Sequence, residues 1–501
     1  MFGIDIAKVF ELFKYDRHDK LFFGSSFFFF LFLGLILFLF LSKNDKRLRW
    51  ALLINFSFFF YYKAIGYLPF VLLGSAIINY LFGKQLLKDT SSKVKQFWLA
   101  GGVLFNIGAL GYYKYSNFFM QVAADLQHQP FEASALLIPM GISYFTFKAL
   151  SYLFDIYYGS IEEHYTFSDF LLYLVFFPAV MLGPIDKARD FLPQVNKDYS
   201  MNKSQVGRGI FLISIGLIKK YVFADYLYTN LVARVLDSPE RFTGVEIVLA
   251  VYAAAIQLYL DFSGYTDIGI GIACLMGFEL TENFNFPYKA KSVAEFWRRW
   301  HKSLSGWLQE YLFTPLQMSM RNLKLFGNII AIFITFVLCG IWHGASYNFL
   351  IWGALHAFFM AFSLGIKKPK EALYKAVKFD RVVKTKLWGV VQVIFTFHLI
   401  LLAWVFFETP NLEAVEKVYT QIRDFFKPGV FAQFVSVYPI LIFLMIAGYI
   451  LCFTPRFIYD KLESIMQKLP LVVQAEILAV VIWLVTQFRF ADMLPPQYFN
   501  Y

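Results

Sequence analysis

Two histidines stand where an imidazole needs a reason. His343 lies in Leu338-Cys-Gly-Ile-Trp-His-Gly-Ala345, at the end of an apolar run from Phe326 to Ala345 in which no other side chain titrates near neutrality. Ionisable groups inside membrane-spanning segments are costly and functional by default. An imidazole takes up and returns a proton near neutral pH, as a general base must. The bland alternative is an interhelical hydrogen bond, with Gly340 and Gly344 letting neighbouring helices approach closely.

His301 belongs to Phe296-Trp-Arg-Arg-Trp-His-Lys-Ser-Leu-Ser305. At about 100° per residue, Phe296, Trp300, Leu304, Trp307 and Tyr311 share one face of a helix and Glu295, Arg298 and Lys302 the other. His301 falls on the border, beside Trp297 and Leu308. It is either a proton-transfer group or an ordinary histidine at the polar edge of an interfacial helix. Arg298, Arg299 and Lys302, with Trp297 beside them, would contact lipid head groups or hold an anionic donor such as a coenzyme A diphosphate or a phosphopantetheine.

These groups are carried by a chain that composition assigns to the membrane. Its 501 residues are 58% hydrophobic and 21% aromatic, with a mean hydropathy of +0.55. Many apolar runs reach bilayer-spanning length. With no long polar stretch to fold apart, residues 1–501 read as one all-α polytopic integral membrane domain, with 282–325 a cytoplasmic basic amphipathic segment within it. The net charge of +11 marks cytoplasmic loops rather than nucleic-acid binding. Cys274, Cys339 and Cys452 lie in apolar runs without metal-ligand spacing, and no metal site is expected. The first apolar run, Leu21 to Leu41, is too long for a signal peptide and should stay as an anchor. Ile4, Val9, Phe10 and Phe13 before it suggest a short interfacial helix.

Basic loops set the expected topology. Lys43, Lys46, Arg47 and Arg49, then Lys84, Lys88, Lys93 and Lys95, read as cytoplasmic, which puts the N-terminus outside. Between Ser134 and Lys187 two apolar runs serve one net crossing, so one is re-entrant or interfacial, with Pro139, Gly141, Pro178, Gly183 and Pro184 as the helix breakers. The same arithmetic places a second break at Asp261-Phe-Ser-Gly-Tyr-Thr-Asp267, where Asp261 and Asp267 would cap broken helices or line a wet cavity. The total is about twelve crossings plus two re-entrant pieces. His301 is then cytoplasmic and His343 in the outer half of its helix. His356 has the wrong spacing for a metal pair with His343 and reads as packing. No Walker, H-E-x-x-H or G-x-S-x-G motif occurs, and Gly269, Gly271 and Gly277 do not make a dinucleotide fingerprint.

In combination, Phe296–Ser305 and Trp342-His-Gly344 resemble the signature of the membrane-bound O-acyltransferase superfamily, in the bacterial branch of alginate O-acetylation and teichoic-acid D-alanyl transfer. Pro139-Met-Gly-Ile-Ser-Tyr-Phe-Thr-Phe147, Gly183-Pro-Ile185, Phe191-Leu-Pro193, Asp261–Asp267 and Glu282-Asn-Phe-Asn285 match in order over nearly the whole chain. Gln309-Glu310-Tyr311 and Pro315-Leu-Gln-Met318 depart from it beside the donor-side helix. The resemblance implies a catalytic His343 and a second signature histidine, His301, on the cytoplasmic side of a tunnel. It also implies transfer of an acyl group, acetyl first, from a cytosolic thioester such as acetyl-CoA, with no permanently bound cofactor. The acceptor would be a hydroxyl of an extracytoplasmic polysaccharide or of a periplasmic or surface partner acyltransferase. Membrane lipids would surround the protein in a bacterial inner membrane. The rivals are D-alanyl transfer from a carrier protein and, in another class, transport of a glycan or lipid precursor. Transporter folds commonly carry internal repeats, and the Trp-His motifs occur without a second copy.

Overall fold

The computed structural model describes residues 6–16, 20–132, 134, 139, 141–197, 202–488 and 494–497; Ile4 and Met140 lie outside them. Among the described residues every regular element is helical. Among the described residues five helices are long and apolar enough to cross a bilayer: Gly244–Leu275, Arg321–His343, Tyr347–Gly365, Lys386–Glu408 and Leu471–Phe488. A sixth span results if Val430–Val437 and Pro439–Phe453, bent by 94° at Tyr438, count as one. The first apolar run gives the shorter helix Ser26–Leu41. Large apolar side chains such as Phe30, Leu33, Phe443 and Trp483 are exposed on the outside of the bundle, where lipid replaces water as the surrounding medium. The protein is a helical, multi-pass membrane protein. A short N-terminal helix, Ile6–Phe13, is present as the amphipathic pattern predicts.

The central element is Gly244–Leu275, 32 residues without interruption. Thr243 and Glu246 start it with reciprocal capping hydrogen bonds. The expected break at Asp261–Asp267 is therefore absent, and the residues that suggested it have other work. Gly264 and Gly271 face Gly216 and Gly209 of the Lys203–Leu217 helix so closely that a Cβ on either would sit 2.6–2.8 Å from a facing glycine carbonyl oxygen. Two glycines seven residues apart on each helix make an antiparallel small-residue seam. Asp261 and Asp267 neither cap broken helices nor stand alone. Asp261 shares the buried Lys220 ammonium with Asp225, and Asp267 accepts from Lys219 Nζ at 2.6 Å. Adjacent lysines reach both carboxylates because they sit in a π-helical turn, Ile218–Ala224, that continues the helix past its glycines.

The first expected break is real. After Phe167–Val175 and the short Phe177–Val180 turn, the chain runs without helix through 181–187. Residues 181–186 are buried, and several of their polar groups find partners elsewhere in the fold. Ser303 Oγ accepts from Ile185 N at 3.0 Å, Tyr173 Oη donates to the Asp186 carbonyl at 2.9 Å, and Asp186 accepts from Thr281 N at 2.9 Å. Non-helical backbone at depth is tolerated on those terms.

Candidate active site

The predicted amphipathic helix through Phe296–Tyr311 is two helices, Val293–Arg299 and Lys302–Leu308, with His301 at the joint in a left-handed conformation (φ 43°, ψ 56°). Residues 283–285 hold that joint. Lys302 N donates to the Asn283 carbonyl at 2.8 Å and Asn285 N to the Arg299 carbonyl at 2.9 Å. His301 is consequently not on a polar border; its exposure is 0%. Its Nδ1 lies 2.9 Å from Asn283 Oδ1, which also accepts from Ser303 Oγ at 2.9 Å and from the Ser303 backbone N–H at 3.4 Å. A backbone N–H only donates, so the Asn283 atom facing it is oxygen, and His301 Nδ1 must carry the proton. His301 Nε2 is then a lone-pair acceptor, buried and without a hydrogen-bond partner.

Trp342 is the piece that brings the two histidines together. Its ring centre is 6.2 Å from that of His301 and 4.9 Å from that of His343. One indole separates them, in a shared interior. Phe147, from the Pro139–Phe147 motif, stacks between Trp342 at 5.4 Å and Trp307 at 4.0 Å, tying the Lys302–Leu308 helix to the end of the His343 helix. Trp307 Nε1 completes the stack by donating to the Phe147 carbonyl at 2.9 Å.

His343 ends the Lys324–His343 helix at 3% exposure. Its ring meets the edges of Trp352 at 4.9 Å and Phe407 at 5.3 Å. The helix crosses Tyr347–Gly365 where Gly340 and Gly353 touch backbone to backbone, as the small residues predict. Lys114 caps it: Nζ donates to the Trp342 carbonyl at 2.6 Å and the His343 carbonyl at 3.1 Å. Those carbonyls carry the negative end of the helix dipole and have no intrahelical partner. Lys114 thereby fixes the backbone under both site residues.

The basic residues around His301 divide. Arg298 is exposed and Lys302 half-buried. Arg299 is occupied by Glu295, at 2.8 and 3.0 Å, and by the Asn285 carbonyl at 3.2 Å. Trp297 does not join them, because it is buried on the inner side with Nε1 donating to His356 Nδ1 at 3.2 Å. His356 is packed, as predicted, yet it is a third buried histidine in the same cluster, 4.7 Å from Trp352. Asn283 also lines a narrow cleft of about 40 Å³, with Arg208, Lys219, Ser263, Asp267, Glu282 and Arg456 among others. Among the described residues no three His, Cys, Asp or Glu side chains converge as metal ligands would.

Glu310 and Tyr311, in the stretch that departs from the family pattern, brace the end of the Lys302–Leu308 helix. Glu310 takes Lys187 and a bidentate Arg189, whose Nη2 lies 2.8 Å from Oε2, and Tyr311 Oη donates to Asp155 at 2.6 Å. The Arg189 hydrogen bond pulls the Glu310 carboxyl down to about 2. Lys114 and Asn283 escaped the sequence reading: Lys114 follows an apolar run and its partners lie more than 200 residues away, while Asn283 appeared only inside a matched motif.

The model of the membrane-bound O-acyltransferase family, MBOAT, matches residues 15–407. The chain is 34% identical over 390 residues to the probable alginate O-acetylase AlgI of Pseudomonas aeruginosa, covering 76% of this chain and 71% of the relative. It is 32% identical over 397 residues to the peptidoglycan O-acetyltransferase of Helicobacter pylori, covering 74% and 72%. Similarity to the teichoic acid D-alanyltransferase of Bacillus subtilis is 32% over 228 residues, 44% of this chain and 58% of the relative. The chain belongs to the membrane-bound O-acyltransferase family and is an O-acyltransferase.

Proposed function

We propose that the protein moves an acetyl group from cytosolic acetyl-CoA to a hydroxyl of an extracytoplasmic polysaccharide, or of a partner transferase at the outer surface, in a bacterial cell membrane that it crosses about twelve times. The observation that carries this reading is the pair of buried histidines flanking Trp342, with His301 held in the Nδ1–H tautomer. His343 takes the proton of the acceptor hydroxyl as its oxygen attacks the thioester carbonyl. The tetrahedral intermediate then collapses, the C–S bond breaks, and the coenzyme thiolate leaves with a proton returned from the imidazolium. A thioester is already activated, so deprotonation, alignment and oxyanion stabilisation are the protein's tasks. His301 Nε2 accepts a hydrogen bond from the donor-side reactant and holds it in line. Arg298 and Lys302 are the basic groups left to receive an anionic donor.

Acetyl is favoured over D-alanyl because the acetyl-transferring relatives align over 76% and 74% of this chain and the D-alanyl relative over 44%. Sealed vesicles of known orientation test the reading. With [14C]acetyl-CoA at the cytoplasmic face, hydroxylamine-labile label should appear on the opposite side. Label entering only from a D-alanyl carrier, or only with donor at the outer face, would contradict it.

A further inference from the structure

A second built site lies away from the histidines, on the lipid-facing side. One face of the Lys386–Glu408 helix carries Lys386, Gly389, Val390, Val393, Ile394 and Phe397 as a single stripe, at the i, i+3, i+4, i+7 spacing of neighbours on a helix. Against it stand Lys289 and Lys291, and together they enclose a groove of about 470 Å³, within the range of small-molecule sites. The groove is polar at one end and apolar along its length. Lys289, Lys291 and Lys386 gather where the helix begins, and no carboxylate is among the lining residues. Val390, Val393, Ile394 and Phe397 run on for about 10 Å into the span at 1.5 Å per residue. Lys291 Nζ lies over the Gly389 backbone, 3.4 Å from where a Cβ would be. Lys289 is aimed by a hydrogen bond from Nζ to the Thr454 carbonyl at 2.8 Å, which leaves two of its N–H donors to use.

We infer that this groove binds one anionic phospholipid, its phosphate on Lys289, Lys291 and Lys386 and one acyl chain along Val390 to Phe397. Charge complementarity selects the headgroup: Glu295, which accepts from the Lys291 backbone N–H, is already paired with Arg299, so the three ammonium groups attract a phosphate bearing net negative charge and gain little from a zwitterion. Depth selects a lipid over a soluble anion, because the apolar stripe continues well past the lysines into a membrane-crossing helix. Neither His301 nor His343 lines the groove, so occupancy there is separate from the reacting centre.

Native mass spectrometry of the full-length protein in neutral detergent, with equimolar phosphatidylglycerol and phosphatidylcholine, tests this. Wild type should retain one phosphatidylglycerol with roughly tenfold or greater preference. The Lys291→Gln/Lys386→Gln double variant should retain the two lipids equally. Val393→Trp, which fills the groove and leaves the lysines in place, should retain neither. Lys291→Gln alone, which should weaken the preference, serves if the double variant is not monodisperse. No preference in wild type would overturn the assignment, as would a preference unchanged in both lysine variants. Undiminished phosphatidylglycerol binding by Val393→Trp would overturn it too, because the headgroup would then be held at the surface without a chain in the groove.

Discussion

His301 holds a left-handed backbone that costs a non-glycine residue about 1–2 kcal/mol. Its neighbours enforce it, through Asn283 on both the side chain and the following N–H. Asparagine tolerates that conformation better than other non-glycine residues. His301→Asn should therefore fold with stability near wild type and still lose about 10²–10⁴-fold in transfer rate, whereas His301→Ala should lose activity and about 1 kcal/mol of stability as well. Thermal unfolding alongside label transfer separates the two; equal stability loss in both variants would remove the strain argument. At this scale the sequence was informative where a residue type was out of place. His343 could be singled out because it is the lone titrating imidazole of an apolar run. Lys114 could not, because its importance comes from two carbonyls on a helix that only the tertiary fold brings near. The burial of His301 was hidden for a related reason: the 283–285 segment that breaks the helix at it is distant from the amphipathic pattern itself.

At the scale of elements, the Gly209/Gly216 and Gly264/Gly271 seam explains why one long helix can stand where two broken ones were expected. Hydropathy and turn residues suggest a break wherever Ser-Gly and carboxylates interrupt an apolar run, but glycine serves equally to let helices touch, and the lysines that neutralise Asp261 and Asp267 come from another helix. The non-helical passage near Gly183 was legible because two prolines flank it within ten residues. Gly271→Val would drive a side chain against the Gly209 carbonyl, 2.6 Å from the new Cβ, and should destabilise by about 1–3 kcal/mol or more. Gly34→Ala, where a Cβ meets nothing within 4 Å, should leave thermal stability unchanged or slightly raised. A similar loss in both would refute the seam. The Glu310 brace makes a pH prediction. Its carboxyl is lowered from an ordinary 4.5 to about 2, so the folded state favours the charged form. Its contribution is complete above pH 4.5 and is lost as pH falls toward 2. Glu310→Gln should lower stability by a constant amount above that window, with the difference from wild type shrinking below it. At 37% side-chain exposure solvent screens the pairs, and the effect should be modest. A difference that grew on acidification would contradict the assignment.

The molecule as a whole places His301 at the polar Asn283 joint and His343 in an aromatic enclosure, with Trp342 between. That division suits a reaction whose two substrates arrive from different compartments. Composition was enough to read the helical membrane class, and motif order the family. The pairing of apolar runs with helices was harder to read, because the two runs either side of Asp261–Asp267 lie on one unbroken helix, Gly244–Leu275. The central claim is that His343 carries out proton transfer to complete acyl transfer. Its most direct test is label transfer from acetyl-CoA in sealed vesicles, comparing wild type with His343→Ala at matched expression and matched thermal stability. A folded His343→Ala protein whose transfer falls by about 10²–10⁴-fold is the predicted result; transfer at the wild-type rate would contradict the account.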